Sequence, residues 1–321
     1  MIRIVRAWMV PLASFLTVLV IPVPALGQDQ GDPPVGKRYA LLVGVSRYDA
    51  RRLRNLPFTE PDVTALAEVL RAHGYHPQDV VMLTEGIGAE NPRYRPTLAN
   101  IRKELAALLQ RCRPQDMVLV ILTGHGLQLR GDDEPFFLPC DAALGDATSC
   151  LSIIELYEEL ASCAASYKLL LVDACRDDTL APGELKAAGG RGTGRRRPPG
   201  SPTPGCGVAA LLSCSPGQAS YDHDDLRHAI FFHFAIEGLK GAAADRTGRV
   251  TLPSLRDYLG RHVPTYVRER YPFATQVPQG WGCWPATVPL VRPRQLPSDG
   301  ADRHLVKPRN DAPPMIVPQD D

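Results

Sequence analysis

Two short stretches carry the residues best suited to covalent chemistry. Ile121-Leu122-Thr123-Gly124-His125-Gly126 runs an apolar strand into a histidine flanked by glycines. Leu169-Leu170-Leu171-Val172-Asp173-Ala174-Cys175-Arg176 runs a second apolar strand into a cysteine, fifty positions after the histidine (175 − 125). A thiol attacks well only once it has lost its proton; its free pKa is about 8.5, and a neighbouring imidazole lowers it or takes the proton. Cys175 is therefore the candidate nucleophile and His125 the candidate base and acid. Glycine on both sides of His125 lets the backbone turn sharply. The N–H groups of Gly126 and Cys175 are the candidate oxyanion donors, and one such donor is worth about 3 kcal/mol.

These residues need a scaffold that brings two strand ends together. Ala40 to Val45 is an uninterrupted apolar run, as expected for a strand covered on both faces. Val63, Leu66, Ala67 and Leu70 then recur at helical spacing until Gly74. A short strand over 79–86 and an amphipathic helix with Leu98, Ile101, Leu105, Leu108 and Leu109 on one side follow. A strand over 116–124, a helix over 151–163 and a strand over 167–174 complete the run. This alternation predicts an α/β fold with three layers, a mostly parallel sheet of about six strands and helices on both faces. Such sheets bind ligands beyond the carboxyl ends of their strands, where both motifs fall. A fifth strand is expected over 207–215, helices over 228–241 and 252–270, and a short strand within 284–291. No internal repeat is visible.

The segments outside that pattern are distinct. Residues 1–27 combine Arg3 and Arg6, an uncharged run from Ala7 to Leu26 and a small-x-small pattern at Ala25-Leu26-Gly27, the features of a signal peptide. Export to a periplasm or the exterior is expected, with an uncleaved membrane anchor as the second reading. Residues 28–37 read as a linker, 38–178 as a large segment, 206–291 as a small segment and 292–321 as a disordered tail. Residues 179–205 are a linker rich in Gly, Pro and Arg. The net charge of +1 gives no field for nucleic acid. None of the eight cysteines has metal-binding C-x-x-C spacing. Cys140 with Cys150, or Cys206 with Cys214, could each close a loop, while Cys112 and Cys163 read as buried helix residues.

The order of strand, His-Gly, strand and Asp-x-Cys resembles the caspase-like cysteine peptidases, in particular their bacterial metacaspase-like branch. The fifty-residue separation is the one found in caspases. The resemblance runs from about Arg38 to Leu239 and includes ALLVGVSRY, ALLSCSPGQAS and HAIFFHFAIEGL. It implies a cysteine endopeptidase acting on proteins or peptides. Caspases place Gln-Ala-Cys-x-Gly around the nucleophile, and this chain has Asp173-Ala174-Cys175-Arg176-Asp177. Leu56 stands where an aspartate-binding arginine of caspases would align. Asp173 and Asp62 match the acidic positions with which metacaspases take arginine or lysine, so cleavage after Arg or Lys is expected. The plain alternatives are that Asp173 bonds its own turn and that Asp62 caps the helix it opens. Ser213 and Ser215 match a region that helps form the substrate groove in caspase-like enzymes; Pro216-Gly217 also suits a simple turn. Arg195-Arg196-Arg197 would suit the same acidic pocket as a processing site, or be a solvated basic linker.

The dyad itself needs no cofactor. Asp177, Asp178, Asp222, Asp224 and Asp225 offer oxygens to calcium, an activator of some metacaspases, but match no calcium loop. Arg176 reads as a solvated turn charge. His223, His228 and His233 are too loosely spaced for zinc, so no metal site is assigned. The alternative to an enzyme is a caspase-fold binding module that cuts nothing. A degenerate module of that kind would have lost His125 or Cys175. A thiol oxidoreductase is disfavoured by the absence of C-x-x-C.

Overall fold

The computed structural model describes residues 36–48, 53–128, 134–143, 146–175 and 207–292. The signal segment, the arginine run at 195–197, Arg176, Asp177, Asp178, Cys206 and the tail from 293 onward lie outside these residues.

The chain order is β1 (Arg38–Gly44), α1 (Thr59–Ala72), β2 (Val80–Leu83), α2 (Glu85–Glu90), α3 (Leu98–Leu109) and β3 (Met117–Thr123). Three short strands follow, β4 (Gly126–Gln128), β5 (Pro135–Phe137) and β6 (Leu151–Ser152), then α4 (Ile153–Ser162) and β7 (Tyr167–Asp173). After these come β8 (Val208–Leu212), β9 (Asp222–His223), β10 (His228–Ala229), α5 (Ile230–Glu237), α6 (Leu252–Arg270) and β11 (Gln279–Cys283).

The main sheet has six strands in the order β11-β8-β7-β3-β1-β2. All neighbours are parallel except β11, which runs antiparallel to β8. Strands β1, β3, β7 and β8 are buried almost throughout because both sheet faces are covered. The side-chain alternation assigns each strand to both cores at once. Ala40 and Leu42 of β1 join the core under α1, α5 and α6, with Leu66, Phe231, Phe232 and Leu259. Tyr39, Leu41 and Val43 join the opposite core, with Leu105 of α3 and Leu156 of α4. Each fully buried Leu or Phe contributes about 1.5–3 kcal/mol relative to exposure.

The register fixes the site. Thr123 at the end of β3 pairs with Asp173 at the end of β7. Strand β1 sits between β2 and β3, so the chain leaves β1 toward one side and β3 lies on the other. The loops after β1 and β3 therefore part, opening the crevice where α/β sheets hold ligands.

Four expectations are corrected. Residues 284–291 form no strand; they are pinned by Trp284 Nε1–H to Val288 O (3.1 Å) and an isolated bridge from Pro289 to Thr251. The edge strand is instead the preceding Gln279–Cys283, whose two glycines weaken any strand signal. The helix expected from His228 begins at Ile230, because His228 and Ala229 pair with β9. Cys140, Cys150 and Cys214 are reduced thiols, so neither proposed loop closure exists, whereas Cys283 is disulfide-bonded.

Candidate active site

The end of β3 is built to aim a histidine. Gly124 N–H donates to Asp173 O (3.1 Å), holding the two strand ends together. A Cβ at Gly124 would lie 2.6 Å from the Tyr48 hydroxyl, so no larger residue fits there. That hydroxyl accepts from the His125 backbone N–H (2.9 Å) and donates to Leu138 O (3.0 Å). The Tyr48 ring meets the imidazole edge-on, 4.7 Å between centroids.

His125 Nε2 lies 2.8 Å from the carbonyl oxygen of Arg54. A carbonyl only accepts, so this contact assigns the proton to Nε2 and leaves the lone pair on Nδ1. Burial lowers the imidazole below its usual pKa, and the Arg54 carbonyl opposes that shift only in part. His125 is therefore neutral at pH 7, with one nitrogen ready to take a proton.

Cys175 follows β7 by two residues and is a half-buried, reduced thiol. Its Sγ lies 3.8 Å from Ser220 O. His125, Gly126 and Cys175 line one cavity of about 380 Å³ together with Asp62, Asp173 and Asp222. That volume is within the usual range for small-ligand sites. Gly126 packs directly against the cysteine loop: a Cβ there would lie 2.7 Å from Ala174 Cβ and 2.8 Å from Cys175 O. Leu138 N–H donates to His125 O (2.9 Å), which makes Gly126 and Phe137 a non-hydrogen-bonded pair of the β4–β5 ladder. The Gly126 N–H therefore points away from β5.

The cavity also holds two buried carboxylates. Asp173 is 4% exposed; its Oδ1 accepts from the Ser220 hydroxyl and its Oδ2 has no hydrogen-bond partner within bonding distance among the described residues. Burial raises its carboxyl to about 6 against the pull of the Ser220 and Ser213 hydroxyls, with Asp222 adding to the rise. Asp62 is 0% exposed, with Oδ1 2.6 Å from His228 Nδ1 and Oδ2 accepting from Ala229 N–H at 3.3 Å. Burial raises Asp62 to about 7, with Asp173 adding to the shift and His228 opposing it. Asp62 does not cap α1: Phe58 holds the N-cap position, and Asp62 bonds β10 across the fold. Asp222, more exposed, lies 3.9 Å from Arg54.

Not every candidate comes to this cavity. Ser213 is fully buried behind it, with its hydroxyl beside the Asp173 carboxyl, and Ser215 donates to Val277 O (3.0 Å). The wall comes instead from Ala219, Ser220 and Tyr221, a few residues later in the same segment. Leu56 lines the cavity. His223 is 3.8 Å from Asp225, and His228 and His233 lie 6.3 Å apart between ring centroids. Among the described residues no group of three or more His, Cys, Asp or Glu is arranged to hold a metal. Tyr48, Ser220, His228 and the Arg54 carbonyl are the site groups that sequence reasoning missed. A backbone carbonyl has no residue signature, Tyr48 and Ser220 stand only at the ends of the stretches ALLVGVSRY and ALLSCSPGQAS, and His228 only among histidines too loosely spaced for zinc.

The caspase domain family matches residues 37–281. Metacaspase-1 of Ajellomyces capsulatus is 36% identical over 104 residues, covering 31% of this chain and 28% of that protein. Metacaspase-1A of Aspergillus fumigatus is 35% identical over the same length, covering 31% and 24%. The chain thus matches only about a quarter of the length of these curated relatives. Caspase-1 of Spodoptera frugiperda superposes with a TM-score of 0.56 at 16% identity, over 83% of this chain and 94% of that one. A protein of Geobacter sulfurreducens gives 0.53 at 16%, over 81% and 98%. The structural likeness establishes the fold, and the family match over most of the sequence places this chain in the caspase-domain peptidase family, C14.

Proposed function

We propose that this protein is an exported cysteine endopeptidase that cuts protein or peptide chains after arginine or lysine. The observation that carries the reading is one cavity lined by a neutral imidazole, a reduced thiol and a buried carboxylate oxygen without a partner among the described residues. In this mechanism Cys175 Sγ passes its proton to His125 Nδ1 and attacks the scissile carbonyl carbon. The carbonyl electron pair moves to oxygen, which is met by the N–H groups of Gly126 and Cys175. Collapse breaks the C–N bond, and the imidazolium protonates the departing amine. Water, deprotonated by His125, then hydrolyses the thioester and returns the thiol. The Arg54 carbonyl keeps the proton on Nε2 throughout, as the orienting group of the dyad. These steps use the chain's own groups and water.

Specificity follows from the open oxygen of Asp173. A buried carboxylate without a cation is costly by several kcal/mol, and a guanidinium or ammonium group entering the cavity would offset that cost. An acidic side chain would set a like charge against Asp173 in the same buried site.

Profiling of the purified protein on a peptide library tests this directly. Cleavage confined to bonds after Arg and Lys is expected. Preference for Asp or Glu at that position would overturn the pocket assignment while leaving the nucleophile standing. No cleavage of any peptide, with Cys175 resistant to thiol-reactive substrate analogues, would favour a binding module.

A further inference from the structure

Asp62 and Asp173 line the same cavity, but they are not equivalent acceptors. Asp173 keeps Oδ2 open, whereas both oxygens of Asp62 are occupied by β10, through His228 Nδ1 at 2.6 Å and Ala229 N–H at 3.3 Å. The side chain of His228 is 22% exposed and that of Asp62 is 0% exposed. The bond therefore joins a carboxylate sealed from water to a ring that reaches it. Ionising Asp62 without the ring would place a second charge near Asp173 in a dry site.

At pH 7 this pair is where the cavity keeps a proton. Burial holds the Asp62 carboxyl at about 7, whereas Asp173, at about 6, has largely lost its proton. His125 is neutral because burial lowers its pKa. The other charged or titratable groups facing the pair from neighbouring elements are Asp222 on β9, Arg54 before α1 and His233 on α5, with Glu237 and Lys240 acting on His233.

We infer that His228 is a specificity-determining residue of the cation pocket: an arginine or lysine side chain seated between Asp173 and Asp62 displaces the proton that Asp62 shares with His228, and that proton leaves to water by the exposed edge of the ring. The inference rests on the reading of the cavity as a cation pocket. The balance is simple. One positive charge enters on the substrate, one proton departs, and no other bond changes. Discrimination between a charged side chain and a neutral one of the same shape is then linked to pH through the Asp62 carboxyl that His228 bonds.

Calorimetric titration of the Cys175→Ala protein, which leaves peptides intact, tests this. Each peptide is titrated in two buffers of different ionisation enthalpy, with arginine or its neutral isostere citrulline before the scissile bond. Release of about half a proton or more per arginine peptide at pH 7, falling toward zero by pH 8.5, is expected. The citrulline peptide is expected to bind at least tenfold more weakly, with no release. Adding His228→Gln keeps a donor to Asp62 but removes the group that helps the carboxylate ionise, so release is expected to persist at pH 8. Selective arginine binding without proton release would overturn the inference and leave the cation pocket intact. Equal binding of both peptides would overturn the pocket itself. An unchanged pH profile in His228→Gln would remove His228 from the role.

Discussion

The two edges of the central sheet treat buried carboxylates in opposite ways. At the amino ends of the strands, Asp116 stands just before β3 and Asp79 just before β2. Asp116 accepts from Lys37 N–H on one oxygen and Arg113 N–H on the other, both at 2.8 Å, and Asp79 meets Arg111 at 2.6 Å. These bonds tie loops together and hold the fold. At the carboxyl ends, Asp173 keeps an oxygen without a partner among the described residues, and Asp62 leans on a histidine that reaches water. A buried polar group left unmade costs about 1–3 kcal/mol, more if charged. One edge is bonded and structural. The other leaves a demand that a substrate cation can meet.

The contrast can be broken by substitution, from the largest effect down. Cys175→Ala should lower peptide hydrolysis by on the order of 10⁴-fold with little change in melting temperature, read by initial rates and thermal unfolding. Asp173→Asn should lower kcat/KM for arginine and lysine peptides by about 10²–10³-fold, the range of a broken buried ion pair. Asp116→Asn, at the opposite edge, should leave kcat/KM unchanged per folded molecule and reduce stability by about 1–3 kcal/mol in urea unfolding.

The same pair of variants should separate by sign in stability. Asp173 has a folded pKa of about 6, above its unfolded value of 3.8. Its contribution to stability is therefore fully present below 3.8 and lost as pH rises through 6. Asp173→Asn should thus stabilise the protein at pH 8 by about 1–3 kcal/mol, with no gain at pH 3.5. Equal destabilisation at both pH values would mean that Asp173 is structural like Asp116. The smallest effect belongs to Ser215→Ala, which removes one exposed bond to Val277 outside the cavity; less than about 0.5 kcal/mol and unchanged kinetics are expected.

Much of this was legible in the residues themselves. The continuous apolar runs of β1, β3, β7 and β8 announce strands covered on both faces, and their ends carry His125 and Cys175. What stayed hidden was set by tertiary context. Strands β4, β5 and β6 have two or three residues each, too short for a period to register. His228 precedes a long apolar stretch and reads as helix, yet pairing with His223 pulls it into a hairpin that faces Asp62. Asp62 sits where a cap is common, but the helix begins three residues before it. The orienting group of the dyad is the carbonyl of Arg54, and every residue has a carbonyl.

The central claim is that Cys175 is a nucleophile because His125 takes its proton. The direct measurement is the rate at which a thiol-reactive peptide ending in arginine labels the native protein, with the adduct located by mass spectrometry. One label on Cys175, forming at least about 100-fold more slowly in His125→Ala, is the predicted result. Labelling of Cys175 at the same rate with and without His125 would contradict it.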